Sequence, residues 1–420
     1  MKAFGLALLV VGAVTPGDSR LPGAEGCASA GGPSGPVQTA PRGEEPYRKP
    51  SPEPLDFRGA GREEPEPDVG EVVLGWFGPG DPDHPEFGEF WRGATLALEQ
   101  ENAAGGCRGK PFRLVPSWSA SPWSAAVVDV ARTVHERGAW AVIGGVDGTT
   151  THLAVQLALK SHFLLLSPGS TDVTADDANV PWLFSLPPSD ERQAPVIVDA
   201  LETAAAGGTF VVAAATDHDS HAALVASRRE MARRRLTPAM LVEFPPGELE
   251  AERLGRDLME PGPRAVLVLA PSGAGGRLVA AIRASGFAGT IVGGATAGRT
   301  AFRRAAGAAA EGVVAPVLVE PAPRWEAFAR AYEERWREPP DDAGAHGYDS
   351  VRLVAEAARR AGLNRARMRD AIRALSPWDG VSGPVTWSPL GRNERRASLG
   401  TWKDGRLRRP ASSVLSRSGR

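Results

Sequence analysis

Residues 139–171 read AWAVIGGVDGTTTHLAVQLALKSHFLLLSPGST and contain the clearest pattern in the chain. The apolar runs Ala139–Gly145 and His162–Ser167 are each typical of a buried strand, and small hydroxyl residues follow at Thr149–Thr151 and Ser167–Thr171. A helix that begins there has N–H groups without intrahelical partners, so a Ser or Thr can cap it or help to hold an anion. Because the carboxyl ends of parallel strands meet at one edge of a sheet, the pattern predicts a crevice for a small polar ligand.

Strand-like and helix-like runs alternate along the rest of the chain, which favours βαβ units and parallel sheets. Strands are predicted at 71–77, 112–115, 139–145 and 162–167, and again at 210–215, 239–244, 265–270 and 290–293. Helices are predicted between them, and a Trp-rich strand pair near 385–387 and 398–402 ends the series. The sequence therefore predicts an α/β protein with two doubly wound, Rossmann-like lobes.

Composition narrows the class of protein. The chain has 420 residues, 42% hydrophobic and 23% charged, which is enough for two cores but too polar for a membrane bundle. Lys and Arg number 48 against 50 Asp and Glu, so no charge excess favours a nucleic-acid partner. Two cysteines, Cys27 and Cys107, are too few for a disulfide framework or a cysteine metal site.

The N-terminal residues indicate export. Lys2 precedes an apolar stretch, residues 3–14, that is too short to span a bilayer but typical of a secretory signal. We expect a signal peptide over residues 1–30 and a location in the periplasm or cell envelope, and a lipid anchor at Cys27 stays open as an alternative. Residues 31–68, rich in Pro and Gly, predict a disordered linker, and residues 411–420 a tail.

The order of the motifs resembles that of the type I periplasmic substrate-binding proteins, specifically the branched-chain amino acid (Leu/Ile/Val) receptors of ABC importers. The resemblance covers about residues 69–405. The segments that carry it are Gly93–Lys110, Val142–Gly144, Ser167–Thr171, Phe184–Asp190, Gly347–Val351 and Gly380–Trp387.

The resemblance implies two lobes joined by a three-segment hinge, the type I periplasmic binding protein fold, which closes on a ligand by bending. Carried over, lobe one comprises 69–190 plus 317–380, and lobe two comprises 191–316 plus 381–410. A ligand gripped by both lobes shifts the equilibrium toward the closed form, which an ABC permease could recognise. We expect a monomer with no cofactor.

The resemblance also implies a carboxylate subsite in lobe one. In the family, a hydroxyl of the first cluster and the backbone and hydroxyl groups of the Ser-Pro turn receive the ligand carboxylate. Those positions match Thr149 or Thr150, and Gly169, Ser170 and Thr171. A ligand that bears a carboxylate or an amide is therefore expected, although the same hydroxyls could merely cap helices.

Other family positions line the pocket with aromatic side chains. Phe87 falls near an aromatic at the pocket mouth, and it could equally be a core residue. In lobe two, residues 217–221, which include Asp217 and Ser220, replace one expected aromatic, and Ser272 lies where another is expected. We therefore predict Asp217, Ser220, Ser272 and Thr296 as ligand contacts in lobe two, which departs from the family pattern.

The largest departure concerns the carboxylate that pairs with the ligand ammonium in the family. That position aligns with Ala295, or with Thr296 if the register slips, and neither carries a charge. Burying an unpaired ammonium costs several kcal/mol, so an ordinary branched-chain amino acid is not the first choice. Asp217 or Asp219 could supply the missing charge, or both could belong to a solvated turn that caps the next helix.

Two further functions were weighed. His218 and His221, together with Asp217 and Asp219, suggest a metal site, but this loop spacing is permissive and we expect no metal. The chain has no serine-hydrolase elbow, phosphate loop, His-Glu-x-x-His or paired Cys-x-x-Cys, which favours a non-catalytic role. A ligand-sensing or protein-interaction subunit of the same fold, with a degenerate pocket, stays open as the alternative.

Overall fold

The computed structural model describes residues 57, 61–119, 125–320 and 322–409. The predicted signal peptide, the possible anchor at Cys27 and the tail over 411–420 lie outside the described residues, as does most of the predicted linker. The described end of that linker contacts the folded body: Arg62 Nε donates to Asp370 Oδ2 at 2.7 Å, and the Phe57 ring lies 4.7 Å from that of Trp182.

Lobe one is built on a sheet of five parallel strands in the order β2-β1-β3-β4-β5. The strands are β1 (Val72–Phe77), β2 (Phe112–Ser117), β3 (Ala141–Gly144), β4 (Leu164–Ser167) and β5 (Leu183–Ser185). The connecting helices are α1 (Gly88–Ala103), α2 (Val127–His135), α3 (Gly148–Ser161) and α4 (Val173–Asp177). Strands β1, β3, β4 and β5 are buried along their whole length, as expected when helices cover both faces of a parallel sheet.

Lobe two repeats the alternation. Its strands are β6 (Phe210–Ala215), β7 (Met240–Phe244), β8 (Ala265–Leu269), β9 (Thr290–Gly293) and β10 (Val314–Val317). Its helices are α5 (Asp190–Ala205), α6 (His218–Arg233), α7 (Ala251–Asp257), α8 (Ser272–Ala284) and α9 (Thr300–Ala306). The predicted pair of parallel-sheet lobes is confirmed, because these five strands are parallel in the order β10-β9-β8-β6-β7.

The chain then returns to lobe one before it completes lobe two. Helices α10 (Trp325–Trp336), α11 (Asp342–Ala361) and α12 (Arg365–Ala374) pack on lobe one, followed by the short antiparallel pair β11 (Trp378–Gly380) and β12 (Gly383–Val385). Strands β13 (Ser398–Lys403) and β14 (Arg406–Arg408) add antiparallel strands beside β10. In the described part of the chain, no helix is both long enough and apolar enough to span a membrane.

The predicted pairing of 385–387 with 398–402 is wrong. The turn at Ser382 and Gly383, where Gly383 has φ +100°, folds β12 back onto β11. Val385 and Trp387 consequently pack in the core of lobe one, whereas β13 pairs with β10 and β14 in lobe two.

Helices α1 and α11 cross in lobe one through glycines. A Cβ atom at Gly93 would lie 1.9 Å from the carbonyl oxygen of Gly344, and one at Gly347 would lie 2.1 Å from that of Phe90. Both distances are far below van der Waals contact, so the crossing requires glycine on each helix. Helix α11 also carries His346, whose Nε2 lies 3.3 Å from Nη2 of Arg395, so the glycine crossing positions a helix that contacts the connection between the lobes.

Three chain segments connect the lobes, after β5, after β10 and after β12. Arg395 links two of them, because its Nη1 donates to Ser382 O and its Nη2 donates to Leu318 O, each at 2.5 Å. Asn393 Nδ2 donates to Leu186 O at 2.6 Å and adds the third segment. Hydrogen bonds thus hold the three segments together where the lobes meet.

Candidate functional site

A cavity of about 280 Å³ lies between the carboxyl ends of the two parallel sheets. Its lobe-one side is lined by Glu86, Phe87, Asp147, Thr149, Gly169 and Thr171, and Asp190 stands at the hinge. Its lobe-two side is lined by Asp217, His218, Asp219, Ser220, Ala223, Leu269, Ala270, Pro271, Gly294, Ala295, Thr296 and Arg299. The volume is at the small end of ligand pockets, which suits a molecule of about amino-acid size.

The structure brings most of the predicted site residues to this cavity. Those that line it are Phe87, Thr149, Gly169, Thr171, Asp217, Ser220 and Thr296. They come from both lobes, as the resemblance implied. Their contact with a ligand stays a prediction.

Three predicted residues, Thr150, Ser170 and Ser272, are buried away from the cavity lining. Thr150 is fully buried, and its N–H donates to the capping carboxylate of Asp147 at 2.7 Å. The N–H of Ser170 donates to Ser167 Oγ at 3.1 Å. Ser272 is fully buried at the start of α8, and its hydroxyl donates to the carbonyl of Thr296 at 3.4 Å.

Protein carboxylates occupy the helix starts around the cavity. Asp147 caps α3, and Asp217 caps α6 by accepting the N–H of Ser220 at 3.1 Å. Glu86 accepts the N–H groups of Ser272 and Gly273, at 2.9 Å and 2.6 Å, at the start of α8. At the start of α3, where we expected N–H groups to be available to a ligand anion, the Thr150 N–H is therefore taken by the protein itself.

Asp217 has features of both roles considered for it, a cap of the next helix and a replacement for the missing carboxylate at Ala295. One carboxylate oxygen caps α6, which starts at His218. The other oxygen, Oδ2, is buried and has no hydrogen-bond partner among the described residues. Asp190 is similar, since it is 6% exposed and its Oδ2 lacks a partner within the same part of the chain.

These buried acids have displaced pKa values. Burial, reinforced by the charge of Asp219, raises the pKa of Asp190 well above its usual range, while the Thr171 hydroxyl opposes the shift. Burial and then the charge of Asp147 raise the pKa of Asp219 to about 7. Both carboxyls hold their protons more strongly than exposed aspartates do, and a nearby cation would favour their ionised forms.

Arg299 supplies positive charge to the same cavity. The residue is 6% exposed, its guanidinium lies 5.0 Å from the centre of the Phe90 ring, and its Nε has no partner among the described residues. Arginine binds carboxylates through paired N–H groups. The cavity therefore offers buried groups of both signs.

Polar contacts also join the two lobes beside the cavity. The Gly148 N–H at the start of α3 donates to Asp219 Oδ1 of lobe two at 2.8 Å. Asp172 Oδ2 of lobe one lies 2.7 Å from His218 Nε2 of lobe two and 2.9 Å from His152 Nε2. Although burial opposes it, hydrogen bonds from both histidines hold the pKa of Asp172 well below its usual value.

Sequence reasoning missed Glu86, Asp147, Asp190 and Arg299. Asp190 ends the segment 184–190 that resembles the family, so its position was visible but its chemistry was not. Asp147 precedes the first hydroxyl cluster and could have been recognised as a helix cap. No local pattern marks Glu86 or Arg299, since only the approach of the lobes brings them to the cavity.

The sequence and the fold both match known proteins. A family model described as periplasmic binding protein matches residues 82–406. An amino acid binding protein of Pseudomonas aeruginosa is 32% identical over 132 residues, which are 31% of this chain and only 35% of that relative.

Two solved structures share the fold. The branched-chain amino acid transporter substrate-binding protein LivJ of Streptococcus pneumoniae, in complex with isoleucine, has a TM-score of 0.72 at 24% identity, covering 80% of this chain and 97% of that one. The leucine-binding protein LivK of Thermotoga maritima has a TM-score of 0.70 at 18% identity, covering 81% and 98%. The α/β architecture predicted from the sequence is that of these two-lobed proteins.

Proposed function

The chain belongs to the periplasmic binding protein family, and we propose that it captures a small amino-acid-like solute between its lobes for an ABC-type importer. The observation that carries the proposal is the cavity between the lobes, in which groups of both signs are buried. The role is binding without catalysis. Export to the periplasm follows from the same family and from the apolar stretch at 3–14, with anchoring at Cys27 as an alternative to a free protein.

The ligand that suits this cavity carries a cationic group and a carboxylate or amide. Asp190 and Asp217 each offer a buried carboxylate oxygen without a partner in the described residues, which compensates for the uncharged Ala295. Arg299, with the hydroxyls of Thr149 and Thr171, offers donors to a carboxylate or amide. A zwitterion satisfies both sets, whereas a simple carboxylate leaves the acids unpaired.

Thermal shift measurements with a panel of L-amino acids, the matching 2-keto acids and the matching primary amines test this function. We expect amino acids to raise the melting temperature most, because each partial analogue lacks one charged group. A panel in which no compound raises the melting temperature would contradict solute binding. A panel in which the keto acids stabilise most would contradict the cationic subsite.

Variants separate the two charged subsites. Asp217→Asn keeps a capping oxygen for α6 but removes the charge, so it should weaken amino-acid binding at least tenfold, by roughly 1.4 kcal/mol or more. Arg299→Gln should weaken amino acids and keto acids but not amines. Glu248→Gln, an exposed carboxyl that does not line the cavity, is the control and should bind as the wild type does. Equal affinities in all three variants would remove both residues from the site.

A further inference from the structure

Two imidazoles and a carboxylate converge at the junction of the lobes, next to the solute cavity. His152 lies in α3, Asp172 caps α4, and His218 is the first residue of α6. Asp172 Oδ2 lies 2.9 Å from His152 Nε2 and 2.7 Å from His218 Nε2, and the three atoms lie within 4.8 Å of one another. Both histidines thus present the same ring nitrogen to one carboxylate oxygen.

The carboxylate at the centre of this cluster is held in place. The Thr174 N–H donates to Asp172 Oδ1 at 2.8 Å, and its hydroxyl lies 2.7 Å from Asp172 Oδ2 and 2.9 Å from His152 Nε2. The Asp172 side chain is 2% exposed, whereas those of His152 and His218 are 31% and 41% exposed. The oxygen is therefore fixed, while the two nitrogens stay accessible to an ion from solvent.

We propose that His152, Asp172 and His218 form a zinc site that bridges the lobes. Imidazole nitrogens with one carboxylate oxygen are a donor set that Zn²⁺ binds, whereas Ca²⁺ and Mg²⁺ prefer oxygen donors throughout. Tetrahedral zinc with bonds of about 2.0–2.2 Å places its donor atoms about 3.3 Å apart. The two Asp172 distances need to widen by only about half an ångström to meet this spacing.

Because the three ligands come from both lobes, zinc binding depends on how the lobes are arranged. Lobe one supplies His152 and Asp172, and lobe two supplies His218, so the complete set exists only when the lobes are closed. A zinc ion bound by all three favours the closed form by its differential affinity. All three ligands come from the protein, and His152, unlike His218, does not line the solute cavity, so a variant at His152 separates zinc binding from solute binding.

Metal binding by the full chain, purified without a histidine tag and stripped with EDTA, tests the proposal. Isothermal titration with zinc chloride, without solute, should give one Zn²⁺ per chain, and calcium and magnesium chloride should give none. His152→Asn and His218→Asn should each weaken zinc binding at least tenfold. His221→Asn is the matched control, since His221 lies on the same helix, is exposed, and is not in the cluster.

Thermal melting in EDTA verifies that the variants fold, and zinc should raise the melting temperature of the wild type and the control only. The proposal is overturned if the wild type binds no zinc, if the two cluster variants bind it as the wild type does, or if His221→Asn loses as much affinity. Solute binding by His152→Asn in EDTA should match that of the wild type. Loss of zinc binding and loss of solute binding are therefore distinguishable.

Discussion

Asp190 illustrates how one buried residue can couple solute binding to protons. Its carboxyl lies at the start of α5, and burial together with the charge of Asp219 raises its pKa well above the usual range. Asp172 and Glu191 act in the same direction, and the Thr171 hydroxyl opposes them. An ammonium group placed beside this carboxyl would lower its pKa again, because an opposite charge favours the ionised form.

We therefore expect amino-acid binding to release a proton from Asp190. Since the bound form has the lower pKa, affinity should rise as the pH increases above about 4, the ordinary aspartate value, by at most tenfold per pH unit. Titration calorimetry in buffers of different ionisation enthalpy measures the proton count. Asp190→Asn should remove the release from this group, and proton uptake by the wild type would contradict the prediction.

Single residues also show what the sequence could predict about the site. Thr149, Gly169 and Thr171 were predicted because small hydroxyl clusters directly follow apolar runs, and this is a local pattern. Thr150 belongs to the same cluster, but it is fully buried and its N–H donates to Asp147. The sequence does not show which residue of a hydroxyl cluster points into the protein and which points into the cavity. Arg299 reaches the cavity only through the tertiary fold, so no local signal could reveal it.

At the scale of elements, buried strands were the most predictable features. Predicted strands 210–215 and 290–293 match β6 and β9, because their uninterrupted apolar runs are typical of parallel strands covered on both faces. Helix α12 was not predicted, since it is rich in arginine and Met368 and Ile372 are its only large apolar residues. A carboxylate cap that lies before the apolar run, such as Asp217, makes the helix begin earlier in the chain than the apolar run itself indicates.

The crossing of α1 and α11 gives a prediction at this scale. Gly93→Ala would place a Cβ atom 1.9 Å from the carbonyl of Gly344, so it should destabilise the fold by about 3 kcal/mol or more. Gly275→Ala in α8 is the control. Its nearest neighbour atom would be 3.6 Å away, and alanine favours a helix over glycine by about 1 kcal/mol.

Urea denaturation of both variants provides the comparison. Gly93→Ala should unfold at a clearly lower urea concentration than the wild type, whereas Gly275→Ala should unfold at the same or a higher concentration. Equal losses in the two variants would show that the glycine crossing has no special role.

At the scale of the whole molecule, the lobes face each other through polar contacts made by side chains and helix starts. Glu86 of lobe one accepts two N–H groups at the start of α8, and Asp219 of lobe two accepts the Gly148 N–H at the start of α3. Each lobe therefore supplies a carboxylate that accepts N–H groups of the other lobe. The alternation of strands and helices predicted two lobes, and the resemblance to a known family implied the hinge between them, but neither gave information on the contacts between the lobes.

Gly148 offers a direct test of closure. A Cβ atom there would lie 2.3 Å from Asp219 Oδ1 and 2.7 Å from His218 Cδ2, so Gly148→Ala should hold the lobes apart. We expect at least tenfold weaker amino-acid binding and a larger radius of gyration by small-angle scattering in the presence of amino acid. The free energy of unfolding without solute should change by less than about 1 kcal/mol, since the clash exists only in the closed form.

Gly247→Ala is the control for this variant, because a Cβ atom there would meet nothing within 4 Å. A Gly148→Ala protein that binds and contracts as the control does would contradict a role for this contact in closure.

The N-terminal residues that the structure describes contact lobe one, through Arg62 on Asp370 and Phe57 beside Trp182. Asn364 adds a hydrogen bond from its Nδ2 to the carbonyl of Gly61 at 2.6 Å. A force that pulls on this end of the chain therefore acts on lobe one and does not separate the two lobes. Attachment of the N-terminus to another body leaves lobe two able to move relative to lobe one.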